Sequence, residues 1–304
     1  MALNAYYDTR QAPITFDFAY FLINAECYRQ ASRLPSINLN IICPAFRNLS
    51  PRDKEYEDSE KAWRVHHIVG QIPKLLPTVR ETKFQYDEVQ QISFPNYPTT
   101  YPYTVGKDPL RPYSPTVFRA MHEKGCQIQP FEASSHAKKL VRNYTRGHPY
   151  VTISLRTTGF QTERNSNIDA WYKFSLALRE SGVRVLVIPD FEDTFSNRTA
   201  WEYDWDVVDF AAHDLDLRLA LYEDAVDNFT VNNGVSAVLF FSKCSFKMFK
   251  MTVQGIQTTT AEYLKANWDV DPGETPSFFQ DNQKWVWQDD TVENLMAYAT
   301  LTKA

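Results

Sequence analysis

The sequence predicts an α/β protein of two domains, and three observations carry that prediction. They are a length of 304 residues, a strand-then-helix rhythm in both halves, and a strand-to-helix turn flanked by two arginines. A single core usually stops growing near about 250–300 residues, so a chain of this length is expected to divide. The composition, 43% hydrophobic, 14% aromatic and 23% charged, is that of an ordered soluble protein with substantial cores. Seven Trp, 17 Tyr and 20 Phe exceed what two cores need, and aromatic faces also suit sugars and bases. The formal charge of −5 is spread without long runs of one sign, which argues against nucleic acid or an anionic membrane as the main partner. The N-terminus, MALNAYYDTRQ, shows no basic leader before an apolar stretch, and nothing approaches ~18 consecutive apolar residues. The expectation is a cytoplasmic protein without a transmembrane segment. Cys27, Cys43, Cys126 and Cys244 are far apart and form no ligand spacing, so reduced thiols are expected rather than disulfides or zinc.

In the first half, 14-ITFDF-18 alternates as a strand should, and residues 19–32 then place Phe21, Leu22, Ala25 and Tyr28 on one helical face. The run 37-INLNIICPAF-46 reads as a second strand ended by Pro44. Asp58 or Ser59 then caps a helix carrying Trp63, Ile68, Val69 and Ile72 before Pro73. The rhythm breaks at 94-FPNYPTTYPYTVGKDPLRPYSP-115, where six prolines and four tyrosines in twenty-two residues exclude a helix or an interior strand. That segment reads either as an arm over a cleft or partner surface, or as a structural wrap. Helices resume over 115–125 and 135–147, each closed by glycine, and the domain boundary is expected after residue 147: domains 1–147 and 148–304.

The second half has the cleaner pattern. A strand 150-YVTISL-155 precedes a helix over 168–180. The turn at Gly182 leads to a buried strand 183-VRVLVIPD-190 ending in an acid, and helical periodicity follows within 207–226. Next come a strand 228-NFTVNN-233 and an apolar run 235–244 that fits a helix or a strand equally. Asp290 with Glu293 reads as a capping box for a last helix over 291–301. No repeat with a period of roughly 20–50 residues is present, which sets solenoids and propellers aside.

The chemistry is expected in 153-ISLRTTGFQTERNSNIDAW-171. In an open parallel sheet, ligands bind beyond the carboxyl ends of the strands, where the next helix presents free N–H groups to an anion. Arg156 stands at the strand end, Arg164 and Asn165 close the loop, and Ser166, Asn167 and Asp169 are residues that cap helices. Two guanidiniums, each capable of bidentate bonds to phosphate, together with the helix terminus would neutralise a diphosphate leaving group. The alternative is that both arginines pair with Asp169, Glu163 or Asp190 and merely hold a turn. The loop lacks GxGxxG and GxxxxGK[ST], which weakens a dinucleotide fold and a P-loop ATPase.

The succession of strand, Arg156, loop, Arg164-Asn165, capped helix, strand ending in Pro189-Asp190, then 218-RLALYEDAVDNFTVNNG-234, resembles the donor-binding domain of GT-B glycosyltransferases. The pattern is similar to that of the fucosyltransferase-like and heptosyltransferase-like groups, and it covers mainly 150–300. The resemblance implies two Rossmann-like domains facing each other across a cleft, with the acceptor on the N-terminal one and the nucleotide-sugar donor on the C-terminal one. It implies an arginine on the donor pyrophosphate, matched by Arg156, and a later small-residue turn near the donor, matched by Asn233, Gly234 and Ser236. It also implies no metal and no cofactor, the nucleotide sugar being a substrate, and a last helix returning to the N-terminal domain, with Trp285 and Trp287 as interdomain packing or, alternatively, as rings that stack on a sugar. The His-x-Arg of the fucosyltransferase-like group is Ser154-Leu155-Arg156 here.

A sugar hydroxyl attacking an anomeric carbon needs a base, and Asp17, at the end of the expected first strand, is the candidate; its competing role is a cap for the helix that follows. Asp190 and Glu223 are candidates for the donor, Glu223 for a ribose. Asp-x-Asp occurs at Asp204/Asp206, Asp214/Asp216 and Asp269/Asp271, but such triplets arise easily among 37 acids, so metal-independent transfer is expected. The rival functions are a non-catalytic carbohydrate-binding or scaffold protein on the same fold, and a nucleotide-sugar epimerase.

Overall fold

The computed structural model describes residues 1–43, 50, 53–86, 99–102 and 112–299. Most of the proline- and tyrosine-rich segment 94–115, and Pro44, lie outside the described residues. Two compact units divide the chain, Met1–Glu132 and Ala133–Ala304. Among the described residues no helix is long and apolar enough to cross a membrane.

The first unit runs β1 (Leu3–Asp8), α1 (Phe18–Ala31), β2 (Ile37–Ile42), α2 (Asp58–Arg64), β3 (Val79–Gln85), β4 (Thr100–Tyr101) and α3 (Pro115–His122). Its sheet has the order β3-β2-β1-β4, every pair parallel. Leu3, Ala5 and Tyr7 alternate into the core, as a strand period of two requires, and Tyr7 meets Phe18 and Phe21 of α1 edge-on at 4.6 and 4.9 Å. The expected strand 14–18 is therefore corrected. The first strand is β1, and 14–17 is the turn into α1, where the amide of Ile14 donates to the buried Asp53 carboxylate at 3.1 Å instead of entering a ladder.

The second unit runs α4 (Ser135–Thr145), β5 (Tyr150–Ser154), α5 (Ile168–Glu180), β6 (Arg184–Ile188), β7 (Asp206–Val207), α6 (Phe210–His213) and α7 (Leu215–Asp224). It continues through β8 (Asp227–Val231), α8 (Ala237–Phe240), β9 (Phe246–Phe249), α9 (Ala261–Trp268), β10 (Gln283–Trp285) and α10 (Val292–Tyr298). The six strands lie in the order β10-β9-β8-β5-β6-β7, all parallel. Helices cover such a sheet on both faces, so its central strands read as continuous apolar runs, and every residue of β5 and β8 is buried. The ambiguous run 235–244 becomes a short turn and α8.

Two boundary expectations are corrected. The units part after Glu132, not after residue 147, because α4 is anchored in the second unit: the Asp216 carboxylate of α7 accepts from Ser134 N at 2.7 Å and from its hydroxyl at 2.6 Å. The last helix does not leave its own unit, since Leu295 lies in the core built by Trp171, Phe174, Phe229 and Phe249. Trp285 likewise packs inside that unit, against Phe240, Trp268 and Phe279.

Strand β5 is the hinge of the second sheet. The chain leaves it through α5 to β6 on one side, while β8, β9 and β10 build outward on the other. The order thus reverses between β5 and β8, and a crevice beyond their carboxyl ends is where an open parallel sheet receives ligand.

Candidate functional site

Arg156 lies two residues past the end of β5 and is only 5% exposed. Its amide donates to Ser166 Oγ and its carbonyl accepts the amide of Ser166, each at 2.9 Å, which clasps the loop 157–165 at its base. The guanidinium fills the inside of that loop. Nη1 donates to the Gln161 carbonyl at 2.9 Å and to Asn165 Oδ1, and Nη2 donates to the Phe160 carbonyl at 2.6 Å. Every acceptor is neutral, and among the described residues no carboxylate stands within ion-pair distance of Arg156. Burial, and then the nearby charge of Arg164, push its guanidinium down to about 10.

Arg164 reaches across the switch point. Its Nη2 donates to the carbonyl of Asn232, just past β8, at 3.0 Å, and its Nη1 to Gln161 Oε1 at 3.0 Å. Two guanidiniums close enough to oppose each other's charge therefore sit where the strand order reverses. On the β8 side, Asn233 Oδ1 caps the following turn by accepting from Ser236 N at 3.0 Å and Ser236 Oγ at 2.7 Å, with Gly234 as the first residue of that turn. Among the described residues, the buried hydroxyl of Thr157 has no hydrogen-bond partner.

The helix terminus expected to receive the diphosphate is already occupied by the chain itself. Asp290, 2% exposed, accepts from the amide of Asn167 and from Trp171 Nε1, both at 2.7 Å. It thereby provides the anion that the start of α5 favours. Asp290 is consequently no cap for α10; Thr291 takes that place, its Oγ1 accepting from the amide of Asn294 at 3.3 Å. Lys250, next after β9, stands 3.6 Å from Asp290 and donates to the Asn165 carbonyl at 2.7 Å. Asn165 and Asn167 are thus positioning residues: Asn165 braces Arg156 and the Thr158 carbonyl, and Asn167 caps α5 through the amide of Ala170.

Asp190, beyond β6, accepts the amide of Thr157 at 3.3 Å, and burial raises its carboxyl above the ordinary range against the pull of that amide, Arg218 and Arg156. For an acid so raised, the contribution to stability is complete below the ordinary value of 3.8 and is lost as pH climbs through the folded-state value. Asp190→Asn keeps an acceptor for Thr157 and removes the buried charge. Its melting temperature is expected to exceed that of the wild type at neutral pH, with the gap closing toward about pH 4. Thermal unfolding across that range checks it, and a melting temperature lowered at neutral pH would contradict the burial argument.

The remaining sequence candidates have other local partners or surroundings. Glu223 is corrected: it sits in the last turn of α7, at the amino end of the sheet, where it accepts from Ala133 N at 2.9 Å and pairs with Lys138 at 3.0 Å. Asp17 precedes α1 without a side-chain cap bond, so its expected capping role is absent. It follows a turn rather than a strand, while the true strand end, Asp8, pairs with Arg10 at 2.6 Å. Asp204 and Asp206 pair with Arg179 and Arg184, and Asp214 caps α7. Sequence reasoning missed Asp290 and Lys250. For both, the signal is position alone: Lys250 follows a strand, and Asp290 precedes the last helix.

No protein-family model matches the chain, and no curated protein matches it in sequence. In structure the chain is similar to E. coli heptosyltransferase WaaC with ADP-2-deoxy-2-fluoro heptose, at TM-score 0.46 and 12% identity over 97% of this chain and 98% of that one. It is similar to E. coli ADP-heptose lps heptosyltransferase II at TM-score 0.47 and 11% identity over 100% of both chains. A glycosyl transferase family 9 protein from Veillonella parvula DSM 2008 gives TM-score 0.45 and 8% identity over 82% of this chain and 80% of that one. At such scores these likenesses add no argument about activity, and the α/β architecture of the chain rests on its own two parallel sheets.

Proposed function

We propose that the chain is a glycosyltransferase of GT-B type that holds the diphosphate of a nucleotide sugar at the β5/β8 switch point and passes the sugar to a carbohydrate hydroxyl without a metal. The observation that carries this reading is the pair Arg156 and Arg164, drawn together at the carboxyl edge of a parallel sheet, with Arg156 bonded to neutral acceptors only. Like charges held together in a partly desolvated place favour an anion, and a departing diphosphate develops negative charge of the kind such a pair would offset. In the proposed reaction the acceptor oxygen bonds to the anomeric carbon, the bond from that carbon to the diphosphate breaks, and the hydroxyl proton passes to a carboxylate. Asp17 remains the proposed base.

A thermal-shift series with GDP, UDP, CDP and ADP at millimolar concentration tests the reading, because a ligand that binds only the native state must stabilise it. At about 100 times its dissociation constant a ligand adds about 2.7 kcal/mol, a shift that is readily measured. At least one diphosphate is expected to raise the melting temperature, and its mononucleotide less so. If all four leave the transition where it was, the diphosphate reading is wrong.

A further inference from the structure

Arg218 is a buried guanidinium that the reading above does not use. It lies on α7 and is 4% exposed. Helix α7 leads into β8, so it descends from the carboxyl edge of the sheet to the amino edge, and Arg218 sits in its upper part. Helical side chains lean toward the helix N-terminus, which carries this one toward the carboxyl edge.

Its position is held by two hydrogen bonds in series. Nε of Arg218 donates to Tyr222 Oη at 2.8 Å, and Tyr222 Oη lies 2.8 Å from Ser154 Oγ, on the last residue of β5. Tyr222, one turn further along α7, is thus a strut from the helix to the strand that delivers Arg156. A serine at 154 leaves room for that strut.

Among the described residues, Nη1 and Nη2 of Arg218 have no hydrogen-bond acceptor, and no carboxylate stands within ion-pair distance of the group. Asp190 is near enough to feel Arg218 but bonds instead to the Thr157 amide. A guanidinium this buried is normally paired, and one left with both terminal nitrogens unused, beside a site that already gathers positive charge, is placed to receive an anion.

We propose that Arg218 is a third cationic contact of the ligand site, donating through its terminal nitrogens to a phosphate oxygen of the bound diphosphate, with Tyr222 and Ser154 as the residues that position it. The inference rests on the diphosphate reading and deepens it. It assigns the phosphate grip to two walls, the β5 loop and α7, where the sequence pattern pointed to one.

Titration calorimetry with inorganic pyrophosphate on the full chain tests this in wild type, Arg218→Met and Arg218→Lys. Arg218→Met preserves volume and removes the charge, and its affinity is expected to fall by about tenfold or more, the scale of one charge-assisted contact. Arg218→Lys restores the charge without the Nε bond to Tyr222, and it is expected to recover part of the loss. A merely structural arginine would behave otherwise, because lysine cannot replace its bond to Tyr222 and would bind as weakly as methionine. Affinity of Arg218→Met within about threefold of the wild type, or Arg218→Lys no better than Arg218→Met, overturns the proposal. Should Arg218→Met fail to fold by circular dichroism, Arg218→Gln is read in its place. Failure of the wild type to bind either pyrophosphate or any nucleoside diphosphate sinks the diphosphate reading itself, whereas tight binding that is indifferent to Arg218 sinks this inference alone.

Discussion

Arg156→Met is expected to lose nucleoside diphosphate binding and about 2–4 kcal/mol of stability together, whereas Arg164→Met is expected to lose binding with less than about 1 kcal/mol of stability. The difference follows from where the two guanidiniums end. Arg156 is 5% exposed and serves two backbone carbonyls and the Asn165 amide oxygen inside one loop. Without it those acceptors lose their donors, and the loop 157–165 has no filling. Arg164 is less buried, and it serves only one backbone carbonyl, on Asn232, and one side chain, on Gln161. Chemical denaturation gives the stabilities and thermal shift with the diphosphate gives the binding. Equal stability losses in both variants would contradict this division. A lysine at 156 is a poor substitute, because one ammonium cannot match a planar fork to three acceptors.

Asp290→Ala is expected to destabilise the second unit by about 3–5 kcal/mol, the usual consequence of breaking a buried charge network from one side. The substitution leaves three donors behind: the amide of Asn167, the indole nitrogen of Trp171 in the middle of the core, and the ammonium of Lys250. Lys250 also holds the carbonyl of Asn165, so the ligand loop should loosen with the core. Urea unfolding monitored by tryptophan fluorescence checks the magnitude, and weaker diphosphate binding by the same variant checks the coupling. A change below about 1 kcal/mol would mean that Asp290 anchors nothing. Asp290→Asn retains one acceptor and should lie between the two.

Much of the architecture was legible because it is written locally. The buried strands 150–155 and 183–190, the capped helix after Asn167 and the turn at Asn233-Gly234 each announce themselves within a few residues, by apolar runs, capping types and a small residue at a strand end. Arg156 and Arg164 were legible for the same reason, since a charged residue at the end of a buried strand in an α/β pattern has few places to go. The alternation in 14–18 misled because alternation does not say whether a neighbouring strand is available. The neighbours of that sheet are β1, β2, β3 and β4, and Ile14 is held by Asp53 instead.

Other parts of the site depend on contacts between distant residues. Asp290 and Asn167 are 123 residues apart, so an acid that looks locally like a cap for the last helix turns inward to cap another helix. Glu223 and Arg218 lie on the same helix, yet one ends at the amino edge of the sheet beside Lys138 and the other leans toward the carboxyl edge beside Tyr222. Only the direction in which α7 runs against the parallel strands separates them.

By itself, the sequence determined an α/β chain with a cation-rich turn at the end of a buried strand, because periodicity, caps and strand-end charges act over a few residues. The tertiary structure alone decided that this turn lies at a switch point, that Asp290 and not a ligand occupies the start of α5, and that Arg156 braces the loop. The physical reason is that strand order and the pairing of buried charges are settled by residues remote in the chain, each satisfied only once the sheet has brought its partner within hydrogen-bond reach.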